Sequence, residues 1–381
     1  MPTASTTQTS PIAIAQRIAK LRRSPTPRIP QDRLPILVTG VSGVSGFNAF
    51  YYLSHHYPGQ VFGQRPRETF RLNDTGILAF NLEDHESTRR VLREHRIRSV
   101  LSCGGNCALK SCELDPAMAH QVNVVGIESL LQAIEHAERS HTSGMFGETI
   151  RLVHLSVDLV FSGLKGAAYN EHDPPDPVTV YGSTMVAAEK TVQEHRPDAC
   201  ILRISLPMGV SFNGHAGAID WIKSRFAAGR PATLYFDEVR TPTYVQGLNL
   251  VFEHMLSNSL SGLFHCGGTR QLSLFEIAQV INRAGNYDPH LLKGCYRIEA
   301  GPIPPRAGNV AMDSSKLLQL LSQAEPETGL TSLLMKWPYL DIDVPTHRTW
   351  HFHQGERGLF APRGGISSTL YELPVCPPSE E

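Results

Sequence analysis

The sequence has almost no net charge and no long apolar run. Its 381 residues carry 35 Lys and Arg against 36 Asp and Glu, so the formal net charge is -1. So small a net charge does not indicate a polyanion partner, and the body of the chain shows no local basic stripe. We therefore expect no nucleic-acid partner. A stretch of about 18 apolar residues, which a membrane-spanning helix requires, is also missing, so we expect no membrane partner. The remaining composition, with 41% hydrophobic and 19% charged residues, is typical of a globular protein.

Paired cysteines and metal-ligand patterns are missing as well. The seven Cys are scattered and odd in number, which argues against a disulfide framework and favours a reducing, cytoplasmic location. Cys103, Cys107 and Cys112 lie close together, but their spacing matches no zinc pattern, and we interpret them as free thiols beside a strand end. The histidines between His347 and His353 have no Cys or carboxylate at a matching spacing. We therefore expect no metal site.

Residues 1–33 lack acidic side chains before Asp32 and are rich in Ser, Thr, Pro and basic residues. This composition fits an organelle transit peptide and a disordered leader equally well. The segment from Ile12 to Leu21 predicts a short amphipathic helix, which Pro27 and Pro30 separate from the rest of the chain. We interpret residues 1–33 as a flexible basic leader.

From residue 34 onward, short apolar runs alternate with helix-length segments. The predicted strands lie at residues 34–38, 60–63, 77–80, 99–103, 152–156 and 200–204. Predicted helices lie at residues 84–95 and 116–137, a further helix runs through Leu53, and another begins at Tyr181. Such alternation predicts an α/β fold with a doubly wound parallel sheet and right-handed crossovers. We assign this domain to residues 34–210.

After Leu206 the alternation gives way to longer loops with Gly, Pro and aromatic residues, and local helices are predicted at residues 219–228 and 274–283. We interpret residues 211–330 as a smaller α/β lobe that faces a substrate and whose chain partly returns to the main sheet. Residues 331–381 contain repeated prolines, and we interpret them as a C-terminal extension.

A glycine pattern, Gly40-x-x-Gly43-x-x-Gly46, follows the first predicted strand and precedes a helix. In this position the glycines allow a tight turn, a close approach of the backbone to a pyrophosphate, and close packing of the helix on the strand. The phosphates then meet the free N–H groups at the helix N-terminus. The predicted residues of this dinucleotide site are Gly40, Ser42, Gly43, Val44, Ser45 and Gly46.

The end of the second strand indicates which dinucleotide fits. An acidic residue there binds the ribose 2′-hydroxyl of NAD, whereas a cation accommodates the 2′-phosphate of NADP. The sequence reads Gly63-Gln64-Arg65-Pro66-Arg67, with no acid before Glu68. It therefore favours NADP over NAD, with Arg65 and Arg67 as the phosphate ligands; the alternative is that both arginines are solvated loop charges.

Further motifs follow the glycine turn in a recognisable order over about residues 34–320. Together they resemble the extended short-chain dehydrogenases/reductases of the dTDP-4-dehydrorhamnose reductase branch, which includes the related methionine adenosyltransferase regulatory beta subunit. The motifs are Asn123 within residues 121–126, Ser156-Val157-Asp158-Leu159-Val160-Phe161, Tyr169 with Glu171, Tyr181-Gly182, Leu202-Arg203, Arg240-Thr241-Pro242-Thr243, and residues 262–265, 273–278 and 313–316.

The resemblance implies a Rossmann sheet that binds a nicotinamide cofactor, and a small-molecule substrate, possibly a nucleotide sugar, under the C-terminal lobe. In the family a Tyr protonates the carbonyl oxygen, a Ser or Thr polarises it, and a Lys lowers the pKa of the Tyr. Here Tyr181 matches the Tyr. Cys103, Gly104 and Asn123 match cofactor-binding positions, in addition to Tyr181. Asn106, Asp158 and Arg240 match substrate-binding positions.

Two departures fall on partners of Tyr181. The Lys position, four residues after Tyr181, holds Met185, and the Ser/Thr position holds Val157. Ser156 precedes Val157, but because side chains alternate along a strand, it is expected on the opposite face. Losing the cation and the hydroxyl removes acid–base assistance worth roughly 100- to 10,000-fold in rate.

Two lysines near Tyr181 could in principle replace the missing cation. Lys190 is too far along the helix, and Lys165, on the preceding loop, is the better candidate. Three functions stay open: a reductase with an attenuated site and Tyr181 as the acid, a non-catalytic dinucleotide-binding regulatory or scaffold subunit, and a lyase or isomerase whose base the sequence does not identify. A homodimer or a heteromeric partner is common for such folds.

Overall fold

The computed structural model describes residues 10–20, 29–140 and 149–324. The strands are β1 (Ile36–Val38), β2 (Val61–Arg65), β3 (Ile77–Ala79), β4 (Ser99–Ser102), β5 (Arg151–Val157), β6 (Cys200–Ile204), β7 (Pro207–Met208), β8 (Ala232–Tyr235), β9 (Val239–Arg240), β10 (Thr243–Tyr244), β11 (Gly262–Cys266), β12 (Leu272–Ser273) and β13 (Leu292–Cys295).

The helices are α1 (Pro11–Ala19), α2 (Val44–His56), α3 (His85–Glu94), α4 (Leu109–Leu114), α5 (Pro116–His120), α6 (Gly126–Ser140), α7 (Val180–His195), α8 (Ala218–Ala227), α9 (Val245–Ser257), α10 (Leu274–Ala284) and α11 (Ser315–Ala324). A π-helical turn, Gln121–Val125, joins α5 to α6. The helix predicted for residues 116–137 is thus one continuous helical segment with a local widening.

The central sheet has seven strands in the order β3-β2-β1-β4-β5-β6-β11. Each neighbouring pair is parallel. Successive strands run outward from β1 to one edge and then from β4 to the other, so the order reverses between β1 and β4. The predicted doubly wound parallel sheet is therefore confirmed, and ligands of such sheets bind at the carboxyl edge beside the reversal.

Both faces of the sheet are covered because its strands are apolar on both sides. Helices α2 and α9 cover one face, where Phe47, Phe50 and Phe252 are buried. Helices α3, α6 and α7 cover the other, where Leu92 and Leu130 are fully buried. Continuous apolar strands are expected in a parallel sheet buried on both faces.

The predicted lobe after β6 is built from three two-stranded pairs, β10 with β7, β12 with β9, and β13 with β8. Helix α10 begins with a capping box, in which the Ser273 hydroxyl accepts the Glu276 N–H at 3.1 Å and the Glu276 carboxylate accepts the Ser273 N–H at 2.7 Å. Before β12 and α10, the chain rejoins the main sheet as β11, which pairs with β6. The extension predicted for residues 331–381 lies outside the described residues.

A buried ion pair fastens α7 to the sheet. Arg203 on β6 donates from Nε and Nη2 to the two carboxylate oxygens of Glu189 at 2.8 and 2.7 Å. His265 on β11 lies 3.4 Å from the Arg203 guanidinium, and burial lowers the pKa of this histidine. Breaking a buried pair of this kind leaves an uncompensated charge, so the orientation of α7 is strongly fixed.

The leader contains a helix that belongs to the body of the protein, which corrects the expectation of a flexible segment for residues 10–20. The Ser10 hydroxyl caps α1 by accepting the Ala13 N–H at 3.2 Å. Ala15, Ile18 and Ala19 are buried in the same apolar cluster as α2. An apolar stripe at helical spacing gains free energy by packing, which the prolines downstream do not prevent. Residues 1–9 and 21–28 lie outside the described residues.

No helix within residues 10–20, 29–140 and 149–324 is long and apolar enough to span a membrane.

We predict that Ile18→Ala lowers the free energy of unfolding by about 2 kcal/mol or more, because Ile18 is 1% exposed and its loss leaves a cavity under α1. Urea unfolding followed by circular dichroism measures the change. Gln16→Ala, on the exposed side of the same helix, is the matched control and should alter stability by less than about 0.5 kcal/mol. Equal stability of wild type and Ile18→Ala would show that α1 is not part of the folded body.

Candidate functional site

A cavity of about 380 Å³ lies at the carboxyl edge of the sheet, where the strand order reverses. One wall is the glycine turn after β1, and another is the loop after β4. The ends of β5 and β6 form the floor, and segments of the lobe close the far side. The cavity therefore brings the predicted glycine turn, the end of β5 and the start of α7 to one place.

Three glycines shape the turn in different ways. Gly40 has a φ of +65°, and a Cβ there would lie 2.4 Å from the Cys103 carbonyl oxygen. A Cβ on Gly46 would lie 2.4 Å from the Gly40 carbonyl oxygen, so this residue lets α2 approach the strand end. A Cβ on Gly43, by contrast, would have no neighbour closer than 3.5 Å. The middle glycine thus leaves its outer side open, as a bound pyrophosphate requires.

The ends of β1 and β4 are held together by one hydroxyl. Thr39 Oγ1 accepts the N–H groups of Cys103 and Gly104 at 3.1 and 3.0 Å. Gln64, at the end of β2, accepts the Gly40 N–H at 2.9 Å. These bonds satisfy backbone groups at the switch point and place Cys103 and Gly104 in the cavity wall.

The turn ends in the N-terminus of α2, a helix of 13 residues whose N-cap residue, Gly43, forms no side-chain cap. Its first N–H groups are available to an anion, and the helix dipole favours one. On the cavity floor the Ser156 hydroxyl is fully buried and has no hydrogen-bond partner within the described ranges. The open side of Gly43 and the uncapped N-terminus of α2 fit the diphosphate of a dinucleotide. The buried Ser156 hydroxyl fits its amide.

The two predicted arginines lie outside the cavity wall. Arg65 is buried and its Nη1 donates to the Pro66 carbonyl at 3.1 Å. Arg67 is exposed and pairs with Asp84, with Nη2 and Oδ2 2.8 Å apart. Asp84 also caps α3 by accepting the Ser87 N–H at 3.1 Å, and these bonds lower the pKa of its carboxyl. Both cations follow β2, on the side where a 2′-phosphate is expected.

Four contacts fix the start of α7 and thereby Tyr181. Thr179 caps the helix by accepting the Gly182 N–H at 2.9 Å. Glu113 on α4 accepts the Val180 N–H at 2.7 Å. Thr184 donates to the Tyr181 carbonyl at 2.7 Å and accepts the Asn123 amide at 2.9 Å. The phenol therefore enters the cavity from a rigid helix end.

The surroundings of Tyr181 are apolar. Val157, Leu159 and Met185 line the cavity beside the phenol, which is 6% exposed. Burial, followed by the nearby Cys107 and Asp158, raises the pKa of Tyr181 well above its ordinary value. The phenol is therefore neutral at every physiological pH.

Neither of the two lysines considered above replaces the missing cation. Lys165 donates to Asp173 at 2.5 Å and to the Ala168 carbonyl at 3.1 Å. Lys190 is exposed and lies 3.8 Å from Glu194. Both ammonium groups are thus engaged away from the cavity. Ser156 and Val157 both line the cavity, because it extends across the end of β5.

Asn123 lies in the π-helical turn, a feature frequent at functional sites. Its carbonyl oxygen accepts the Asn106 N–H at 2.6 Å, and its amide donates to the Asn106 carbonyl at 3.2 Å. The Asn106 side chain in turn accepts the Ala108 N–H at 3.0 Å. Neither asparagine is part of the cavity wall. Their predicted ligand roles stay predictions, and their contacts here order the loop after β4.

A second buried ion pair closes the far side. Asp158 is fully buried, and Arg240 on β9 donates to it from Nε at 2.6 Å and from Nη2. Ser205 donates to the same carboxylate at 2.5 Å. Burial opposes the charge of Arg240, but the adjacent Asp158 carboxylate outweighs it and raises the pKa of the Arg240 guanidinium. Arg240 lines the cavity, whereas Asp158 lies behind it and holds it in place; their substrate-binding roles stay predictions.

Two charged residues that the sequence analysis did not single out also line this end, Glu238 and Arg306. Glu238 lies within the motif loop around Arg240, which was the available signal. Arg306 comes from a proline-rich loop far along the chain, and no spacing connects it to the site.

The thiols near the site are not activated. Cys103 and Cys107 line the cavity. Burial raises the pKa of the Cys103 thiol, and it raises that of Cys112 to about 11, whereas Cys107 is exposed. Reactive thiols have lowered pKa values, so the buried thiols act as apolar surface.

In the part of the chain that the structure describes, no group of three His, Cys, Asp or Glu side chains could hold a metal. The histidines from His347 to His353 lie outside that part.

The doubly wound sheet and the Tyr181 site define the class of protein, an extended short-chain dehydrogenase/reductase. The family model described as RmlD substrate binding domain matches residues 35–335, and the chain belongs to this family.

Among the relatives of the chain, one is named as a reductase and others are named as a subunit of methionine adenosyltransferase. A protein of Haloferax volcanii, named probable low-salt glycan biosynthesis reductase Agl14, is 25% identical over 294 residues, which cover 76% of this chain and 93% of the relative. The Mus musculus methionine adenosyltransferase 2 subunit beta is 28% identical over 326 residues, which cover 82% and 89%. Among solved structures, the dTDP-4-dehydrorhamnose reductase of Bacillus anthracis str. Ames, in complex with NADP, superposes with a TM-score of 0.58 at 21% identity, covering 75% of this chain and 92% of that chain.

We predict that Asp158→Asn lowers the free energy of unfolding by about 3–5 kcal/mol, because it leaves the buried Arg240 without its counter-charge. Chemical denaturation of the purified protein measures the loss. The control is Glu135→Gln, which breaks an exposed pair with Arg139 and should change stability by less than about 1 kcal/mol. If both substitutions have equally small effects, the Asp158–Arg240 pair does not stabilise the far side of the cavity.

Proposed function

We propose that the protein binds NADP(H) and reduces a keto group on a small, sugar-like substrate, with Tyr181 as the proton donor of an attenuated site. The observation that carries the proposal is the single cavity that joins the glycine turn to Tyr181. Supporting it are the family match over residues 35–335 and the reductase among the relatives.

The proposed cofactor follows from the charges after β2 and from the lack of an acid at the end of that strand. Arg65 and Arg67 are the cations offered to a 2′-phosphate, and Arg67 would exchange Asp84 for it. Gly43, Val44 and Ser45 would hold the diphosphate at the start of α2.

A dinucleotide bound at the glycine turn would supply a hydride to the carbonyl carbon. Tyr181 then protonates the carbonyl oxygen, which requires a neutral phenol, and the burial of Tyr181 keeps it in that form. Without a cation four residues on, the phenol is a weak acid, and without a hydroxyl at Val157 the developing oxyanion has one donor fewer. The apolar wall of Val157, Leu159 and Met185 excludes water from the reacting atoms.

We predict that Gly43→Ala weakens NADPH binding at least 10-fold with little change in stability. The new methyl group fits the folded chain, since its nearest neighbour is 3.5 Å away, but it occupies the side from which the pyrophosphate approaches. Gly126→Ala is the matched control, because a Cβ there also has its nearest neighbour at 3.5 Å but lies outside the cavity. Titration with NADPH and NADH measures affinity. Unchanged NADPH affinity, or tighter NADH binding by the wild type, would contradict the cofactor assignment.

A second function is a non-catalytic, dinucleotide-binding regulatory or scaffold subunit with a heteromeric partner. The replacement of two partners of the same Tyr by Val157 and Met185 favours it. So does the relative that is named as the beta subunit of methionine adenosyltransferase 2. Both functions require the glycine turn, and they differ in whether Tyr181 transfers a proton.

We predict that the double variant Val157→Thr/Met185→Lys oxidises NADPH with a dTDP-4-keto sugar roughly 100-fold or more faster than the wild type, because it restores the cation and the hydroxyl. In the wild type the pKa of Tyr181 is raised, so its acid form persists and the reduction rate stays flat from pH 6 to 9. A lysine lowers that pKa, so in the variant the rate falls as the pH rises through the new value. Stopped-flow or steady-state absorbance at the NADPH band measures both.

The control is Ser183→Lys, which adds a cation on the exposed side of the same helix and should leave the rate unchanged. Slow wild-type turnover supports the attenuated reductase. Activity that appears only in the double variant supports the regulatory subunit. Wild-type turnover as fast as that of the double variant would refute the attenuated site.

A further inference from the structure

The far end of the cavity contains a carboxylate that the proposed proton transfer does not use. The Glu238 side chain is 3% exposed and lines the cavity. Its Oε2 atom has no hydrogen-bond partner among the described residues. A buried carboxylate oxygen without a donor is costly, and such atoms in folded proteins call for an explanation.

The neighbouring cations lie at ion-pair distance and do not satisfy this oxygen. Arg240 Nη1 is 3.8 Å from Oε1, and Arg306 Nη1 is 3.7 Å from Oε2. Arg240 is committed to Asp158, and the Arg306 guanidinium lies 4.9 Å from the centre of the Tyr235 ring. Burial, opposed by these two arginines, raises the pKa of Glu238.

Backbone hydrogen bonds fix the position of Glu238 in the lobe. The Glu238 carbonyl accepts the Leu274 N–H at 2.9 Å. The next residue, Val239, pairs with Ser273 and also exchanges backbone hydrogen bonds with Gly308 and Val310 at 3.1 Å.

Charge balance limits what can bind there. Within this cluster, Arg240 and Arg306 are matched by Asp158 and Glu238. No surplus cation is left for a phosphate or carboxylate, and Glu238 would repel either. A hydroxyl group carries no charge, can donate to Oε2, and can accept from the adjacent Arg306.

We propose that Glu238 is a specificity-determining residue that accepts a hydrogen bond from a ring hydroxyl of a neutral, polyhydroxylated substrate moiety. The inference rests on the proposed function, since it assigns the substrate moiety to the same cavity. It places the hydroxylated ring between the apolar wall at Val157 and Met185 and the charged end at Glu238. The anionic part of a nucleotide sugar lies elsewhere.

Binding to protein saturated with NADPH tests the proposal by calorimetry, with UDP-glucose and dTDP-glucose compared with UDP and dTDP. In the wild type at least one sugar nucleotide should bind 10-fold or more tightly than its own diphosphate. Glu238→Leu should reduce this preference to within about 3-fold, because a hydrogen bond to a charged group contributes roughly 10- to 100-fold in affinity. Affinity for the bare diphosphate and for NADPH should not change.

Two further variants keep the result interpretable. Glu238→Gln retains an acceptor of the same size and should keep most of the preference, and Glu194→Gln, exposed on α7, should match the wild type. The proposal is overturned if the wild type shows no preference for any sugar nucleotide, if Glu238→Leu keeps it, or if Glu238→Leu weakens the bare diphosphate equally. Turnover is a separate readout: a protein that binds sugar through Glu238 but never oxidises NADPH fails the reductase proposal and leaves this one intact.

Discussion

The buried pair between Asp158 and Arg240 is the interaction on which the geometry of the cavity depends. Asp158 follows β5 directly, and Arg240 belongs to the lobe, so the pair connects the sheet to the lobe behind the cavity. Because Arg240 is fixed, Glu238 two residues earlier is fixed with it. On the other side, α7 is anchored by Glu189 and Arg203. Two buried ion pairs therefore position the segments that carry Tyr181 and Glu238.

Burial decides the chemistry of this site more than the identity of any single residue. Burial keeps the Tyr181 phenol and the Cys112 thiol protonated. The same burial makes an unpaired carboxylate costly, which gives Glu238 its significance as a ligand acceptor. A reductase and a regulatory subunit would share every one of these binding features. They differ in a proton transfer for which the surrounding side chains provide little help.

Sequence patterns predicted the sheet well because apolar periodicity and the glycine turn are local signals. The sequence assigned cofactor, catalytic or substrate roles to Gly40, Gly43, Gly46, Tyr181 and Arg240; all five line the cavity, and their roles stay predictions. The leader was misjudged over residues 10–20, since the gain from packing α1 against α2 depends on a surface that the local sequence does not contain. Asn106 and Arg306 could not be placed either, because loop side chains are oriented by contacts distant in sequence.

The sequence by itself determined the α/β class, the dinucleotide turn and the two replacements beside the tyrosine, because each depends on neighbouring residues within one strand or one helix. Only the tertiary structure decided which charges meet at the cavity. Asp158, Glu238 and Arg306 lie on three separate segments, and their distances depend on how the lobe packs on the sheet. Electrostatic roles follow from distance and burial, and neither is a property of a local sequence pattern.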